Sequence, residues 1–89
     1  MKNTIMKHTS TDLGGMAACL VYTMFARKTE RDTESYGISI KNELTGESAV
    51  VHNITEDIAV SEKLFERLLT GVVTPVCLKD VVEDFIVEN

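Results

Sequence analysis

The chain has 89 residues, of which 44% are hydrophobic and 6% aromatic, and its net charge at pH 7 is −5. A chain of this length makes one domain, and its hydrophobic content argues against disorder over the whole length. Residues 1–55 carry six acids and six bases, whereas residues 56–89 carry eight acids and three bases. Because nucleic acid repels an acidic surface, we expect no nucleic-acid partner.

The cysteines and the longest apolar run bear on localisation. Cys19 and Cys77 lie far apart, each in an apolar run, which favours buried free thiols and a reducing cytoplasm over a disulfide framework. The run from Leu13 to Phe25 is too short to span a bilayer as a helix, which needs about 20 residues. Asp12 precedes this run, so it also makes a poor signal peptide. We therefore expect a cytoplasmic protein with no membrane partner.

The first half of the chain predicts an arm and three strands. Residues 1–15 are polar and end in two glycines, which predicts a flexible N-terminal arm before a single domain at residues 16–89. The run from Met16 to Arg27 favours a strand, with a helix as the competing interpretation. Tyr36–Lys41 alternates apolar and polar side chains, and Ser48–Ile54 follows a Gly-containing turn, so these two segments predict a hairpin.

Two helices are predicted after the strands. Ser61 is expected to cap a helix over residues 62–70, which ends at Gly71. Thr74 is expected to cap an acidic amphipathic helix that begins at Pro75 and extends to about Val87. The predicted fold class is α+β, with a three-stranded antiparallel meander followed by two helices packed on one face, in the order βββαα.

The first predicted strand is apolar on both faces. Leu20, Tyr22 and Met24 occupy one face, and Cys19, Val21 and Phe25 occupy the other. Because an antiparallel strand with one solvated face should alternate, we expect the second face to be covered by the arm or by a second copy of the chain. The second copy is the preferred interpretation. It predicts a homodimer through this strand, with Val21 and Phe25 in the contact.

Three acidic residues of the last helix form a second candidate surface. Asp80, Glu83 and Asp84 lie at spacings that place them on one helix face. They are candidates to bind a basic protein partner or a hard divalent cation, and the alternative is an ordinary solvated face. Acids near the end of a helix oppose its dipole, and such an unfavourable choice can mark a partner surface.

Catalytic signals are weak. His52 with Tyr36 or a nearby carboxylate is the one arrangement that suggests a small enzyme or ligand-binding protein, and no nucleophile motif accompanies it. No zinc-ligand spacing or phosphate-loop motif occurs, so we expect no metal or other cofactor. Cys77 is interpreted as inert packing in preference to a reactive thiolate. A DNA-reading helix is excluded because residues 75–87 offer only Lys79 to bases.

Two motifs carry a family resemblance: Tyr36-Gly37-Ile38-x-Ile40 and Pro75-x-x-Leu78-x-Asp80-Val81-Val82-Glu83-Asp84-Phe85. With them, residues 18–87 resemble an uncharacterised family of short Firmicutes proteins, clostridial in character. The resemblance implies a shared fold and a bacterial cytoplasmic origin, and it transfers no functional site. The residues and the resemblance together predict a small, non-enzymatic module for protein–protein interaction or regulation.

Overall fold

The structure, a computed structural model, describes residues 3–12 and 19–88. A 3-10 turn, Pro75–Cys77, precedes the last helix. In chain order the strands and α-helices are β1 (Asn3–Asp12), β2 (Cys19–Lys28), β3 (Glu34–Asn42), β4 (Ser48–Thr55), α1 (Ile58–Thr70) and α2 (Leu78–Glu88).

The strands form one antiparallel sheet in the order β1-β2-β3-β4. The α+β class is as predicted, but the three-stranded βββαα meander is wrong, because Asn3–Asp12, expected in the arm, forms a fourth strand paired with β2. The strand contains β-branched residues such as Thr4, Ile5 and Thr9, yet it lies at the sheet edge and is mostly exposed. An edge strand that buries so little apolar surface shows no hydrophobic alternation. The predicted strand start at Met16 lies outside the described residues.

The core lies between one face of the sheet and the two helices. Leu20, Tyr22 and Met24 of β2 are at most 1% exposed, which places them inside the core as the alternation predicts. Ile38 and Ile40 of β3 lie beside them and are fully buried. The apolar residues that the helices bury against this face are Leu64, Phe65, Leu68, Leu78, Val82 and Phe85.

Helix α1 begins one turn earlier than predicted. Asp57 is its N-cap, and the Asp57 carboxylate accepts hydrogen bonds from the backbone N–H groups of Ala59 at 2.9 Å and Val60 at 3.4 Å. The predicted cap, Ser61, is fully buried and already helical. Its hydroxyl donates to the sulfur of Met24 at 3.0 Å. The Ser61 prediction is wrong because the Asp57 carboxylate, four residues earlier, accepts the hydrogen bonds of the free N–H groups at the start of the helix.

The last helix begins later than predicted. Pro75 is buried and starts the 3-10 turn, while the side chain of Thr74 makes no capping hydrogen bond. The α-helix itself begins at Leu78. Pro75 and Leu78 are three residues apart, which is one 3-10 turn, so both are buried while Val76 and Cys77 are exposed.

A Schellman motif ends α1, with valine at the position that glycine normally takes. The N–H of Val72 donates to the carbonyl of Leu69 at 3.2 Å, and the N–H of Val73 donates to the carbonyl of Leu68 at 3.1 Å. Gly71 ends the helix as predicted, but the positive φ of 49° falls on Val72. A left-handed conformation costs a non-glycine residue about 1–2 kcal/mol, so Val72 holds this turn under backbone strain.

Replacing Val72 by glycine is therefore expected to raise the free energy of unfolding by about 1 kcal/mol in a urea titration. The matched control is Val76→Gly, which removes the same side chain from a site that is 79% exposed and has no positive φ. That control gains no relief of strain, so it is expected to be neutral or destabilising. Equal losses of stability in the two variants would show that Val72 is not strained.

Tyr22 connects the loop after α1 to the sheet. Its ring is fully buried, and its hydroxyl donates to the carbonyl of Val73 at 2.9 Å. Burial raises the pKa of Tyr22. Burial and the carboxylates of Glu34, Asp57 and Glu62 also raise the pKa of Tyr36. The folded chain therefore keeps phenol protons that the unfolded chain releases, so stability is full below the ordinary tyrosine pKa of 10.0 and falls as pH rises above it.

Tyr22→Phe is expected to lower the free energy of unfolding at pH 7 by about 1–2 kcal/mol, because the Val73 carbonyl loses its donor. Above the ordinary tyrosine pKa the variant has one fewer phenol to deprotonate, so its stability should fall less steeply with pH than that of the wild type. Urea titrations on both sides of that pKa measure both effects. An equally steep decline in the two proteins would contradict the assignment.

Candidate interaction surface

The helices cover only one face of the sheet, the face that carries Tyr22 and Met24. In the described residues the opposite face carries no helix, and we call it the open face. Strand register identifies its members, because side chains alternate along each strand and paired residues share a face. Its central positions are Ile5, His8 and Ser10 of β1, Val21, Thr23 and Phe25 of β2, Gly37 and Ser39 of β3, and Val50 and His52 of β4.

Phe25 is already covered by its own chain. Its side chain lies on the open face yet is only 6% exposed. A Cβ added to Gly37 would lie 2.6 Å from two carbons of the Phe25 ring, so the ring rests on the bare backbone of β3. The ring of His52 completes the cover, with its centroid 5.4 Å away in an edge-on arrangement. Phe25 therefore needs no second copy of the chain to bury it.

The strand that was predicted to be first is β2, inside the sheet. Its backbone pairs with β1 on one side and β3 on the other, so a second copy can reach it only through the open face. Val21 is half-buried there. Ile5 is 64% exposed and Val50 is 50% exposed on the same face, and sequence alternation missed both. Ile5 lies in the unpredicted strand, while Val50 lies in a strand that alternates only weakly.

Gly37→Ala is expected to lower the free energy of unfolding by about 1–3 kcal/mol, the usual range for overpacking. The added methyl would meet the Phe25 ring at 2.6 Å and the Val51 carbonyl oxygen at 2.7 Å. Thermal or urea unfolding measures the loss. Phe25→Leu in the same chain removes one of the two clashes and should recover part of it. A Gly37→Ala protein as stable as the wild type would show that the ring does not lie on this glycine.

His52 and Tyr36 lie on opposite sides of the sheet. His52 is exposed on the open face beside Phe25, whereas Tyr36 is 7% exposed on the helix side, paired with Ala26. The backbone of the sheet therefore separates the two groups that a catalytic pair would need within hydrogen-bond reach. Within residues 3–12 and 19–88, no group of three or more His, Cys, Asp or Glu side chains is placed to hold a metal ion.

Both described cysteines are free thiols, as predicted, but their burial differs from the prediction. Cys19 is half-buried and Cys77 is exposed. The buried position expected for Cys77 is wrong, because the 3-10 turn assigns the core positions to Pro75 and Leu78.

The acidic residues of α2 all lie at the surface. Asp80, Glu83 and Asp84 are exposed. Because α2 begins at Leu78, Asp80 falls in the first turn, where a carboxylate is favoured by the helix dipole. The argument that these acids oppose the dipole therefore fails for Asp80. The three acids remain together on one face, which is the property that a basic partner would use.

Two clefts open at the same end of the sheet. The larger, about 480 Å³, has a lining that is about half polar and is formed by residues 27–30, 35 and 53–56. Two of its charged side chains form ion pairs with residues outside the lining: Lys28 lies 3.0 Å from Asp32, and Glu56 lies 3.8 Å from Arg31. Its two bases and two acids balance, so this cleft favours no ligand class. The smaller cleft, about 240 Å³, is lined by Ile54, Thr55, Val60 and Ile86 and is mostly apolar.

None of the described helices is both long enough and apolar enough to cross a bilayer. No curated protein and no solved structure shows significant similarity to the chain. The sequence profile of one family, described as a family of unknown function (DUF6514), matches residues 1–88, including the N-terminal segment that the resemblance had left out. The chain therefore belongs to this family of unknown function.

Proposed function

We propose that this protein acts by protein–protein contact, not by catalysis, and that it forms a homodimer through the open face of its sheet. The observation that carries the proposal is the chemistry of that face. Val21, Val50 and Ile5 present aliphatic side chains on the same face as the covered ring of Phe25. Most of the other open-face positions are Ser, Thr, Gly or His, and a base, Lys41, pairs with Val21.

No acidic side chain lies on the open face among strand residues 4–11, 19–28, 34–42 and 48–55. The one acid in these ranges, Glu34, pairs with Lys28 on the helix side of the sheet. Depletion of charge at the centre of a patch, with aromatic and aliphatic groups retained, is typical of protein interfaces. An excess of acid elsewhere keeps other surfaces of two copies apart, so like-charge repulsion favours contact through this face.

The size of the face sets the expected affinity. Four strands about 4.8 Å apart, each about eight residues long at about 3.3 Å per residue, span roughly 500 Å². Two copies would bury about 1,000 Å², at the low end of specific interfaces, so dissociation in the micromolar range is expected. A C2 arrangement fits, because one self-complementary patch then serves both copies.

Sedimentation equilibrium at tens of micromolar chain is expected to give twice the chain mass of 9.9 kDa. Val50→Asp places a carboxylate on the open face, where the contact would desolvate it without a partner, so this variant is expected to be monomeric. Leu44→Asp is the matched control, because Leu44 is 63% exposed in the β3–β4 turn and lies outside the open face.

The control should sediment like the wild type. A monomeric wild type at these concentrations would contradict the homodimer. If the dimer persists in Val50→Asp but dissociates in Leu44→Asp, the contact between copies lies on another surface and the open-face dimer is wrong. Circular dichroism of each variant separates loss of association from loss of folding.

The compartment and source follow as part of the same proposal. Two free thiols, one of them exposed, suit a reducing compartment such as the bacterial cytoplasm. Nucleic acid is not an expected partner, because the net charge of −5 opposes binding to phosphate.

A further inference from the structure

We infer that the smaller cleft is a docking site for another protein, which inserts one large apolar side chain carried on a lysine- or arginine-rich segment. The cleft, which we call the anchor groove, is lined by Ile54, Thr55, Val60 and Ile86. The end of β4, the first turns of α1 and the last turn of α2 form its walls. It lies on the helix side of the sheet, so its occupation is compatible with a dimer through the open face.

The size and lining of the anchor groove point to a side chain as its occupant. Its volume of about 240 Å³ falls below the range of about 300–1,000 Å³ that holds small-molecule ligands. Among its lining residues, Ile54 and Val60 are half-buried and Ile86 is 48% exposed. Further exposed aliphatic groups lie on the same two helices, with Ile58 41% and Val87 86% exposed. Apolar pockets of this kind receive the anchor residues that dominate interface energies.

The charge of the walls selects a basic partner. The exposed charged side chains of α2 are mostly acidic, with Asp80, Glu83 and Asp84 against Lys79. On the β4 side, Glu56 lies 3.8 Å from Arg31 and the Asp57 carboxylate caps α1, so the acids of α2 supply most of the negative charge beside the groove. Glu83 lies one helical turn before Ile86, so the apolar wall and the acidic face of α2 are adjacent. A partner with an apolar anchor between basic residues complements both properties.

The same charge argues against two other occupants. A second copy of this chain carries a net charge of −5 and would be repelled from acidic walls. An anionic membrane surface would be repelled for the same reason, since attraction to such membranes depends on basic side chains.

The test uses a short fluorescein-labelled helical peptide with leucines on one face and lysines on the opposite face. Its binding is measured by fluorescence anisotropy titrations at low salt. Ile86→Ala is expected to weaken binding about tenfold, the effect of losing an anchor contact worth about 1.4 kcal/mol. Glu83→Lys should weaken binding severalfold. Glu47→Lys, in the β3–β4 turn, makes the same change in net charge away from the groove and should have a smaller effect.

Four further outcomes decide the proposal. Unchanged affinity in Ile86→Ala would overturn it, as would equal affinity for a peptide whose leucines are replaced by alanine. Equal weakening by Glu83→Lys and Glu47→Lys would show attraction to net charge alone, and would also overturn it. Val50→Asp should bind the peptide like the wild type, which supports the groove even if the homodimer fails. Circular dichroism confirms that each variant is folded.

Discussion

Strand β2 is hydrogen-bonded on both edges, to β1 and to β3. This interior position determines which of its side chains enter the core and which lie on the open face. Successive side chains of an interior strand must point to opposite faces. Leu20, Tyr22 and Met24 therefore enter the helix-covered core together, and Val21 and Phe25 must lie on the open face. The helices bury the first row, whereas the sheet itself buries only Phe25 of the second row and leaves Val21 half-buried.

The absence of a side chain at Gly37 explains how a sheet can cover part of its own open face. The Phe25 ring occupies the space that a Cβ would need, and His52 closes the far side across the kinked end of β4, where Asn53 has a φ of 52°. What remains exposed is a surface around Val21 and Val50 on which Lys41, the partner of Val21, is the nearest charge. The acidic residues are concentrated instead around α2, so two chemically different surfaces lie on opposite sides of one small domain.

Sequence patterns predicted the elements that bury apolar side chains, and they failed where polar or backbone interactions decide the structure. Asn3–Asp12 was missed because an exposed edge strand buries too little to alternate. Ser61 was predicted as the cap because serine is a good acceptor there, and only its packing against Met24 shows that it is interior while Asp57 caps the helix. The sequence placed Val21 and Phe25 on one face of their strand, but the covering of Phe25 by Gly37 depends on strand register, which composition does not specify.

The central claim is that two copies meet through their open faces. Isotope-filtered NMR on a mixture of labelled and unlabelled chains tests it most directly, because it detects only contacts between copies. The structure predicts intermolecular NOEs from the methyl groups of Val21 and Val50 to open-face protons of the partner, and none from the methyls of Ile86 on the helix side. Intermolecular NOEs confined to α2, or their absence at concentrations where the chain is dimeric by mass, would contradict the claim.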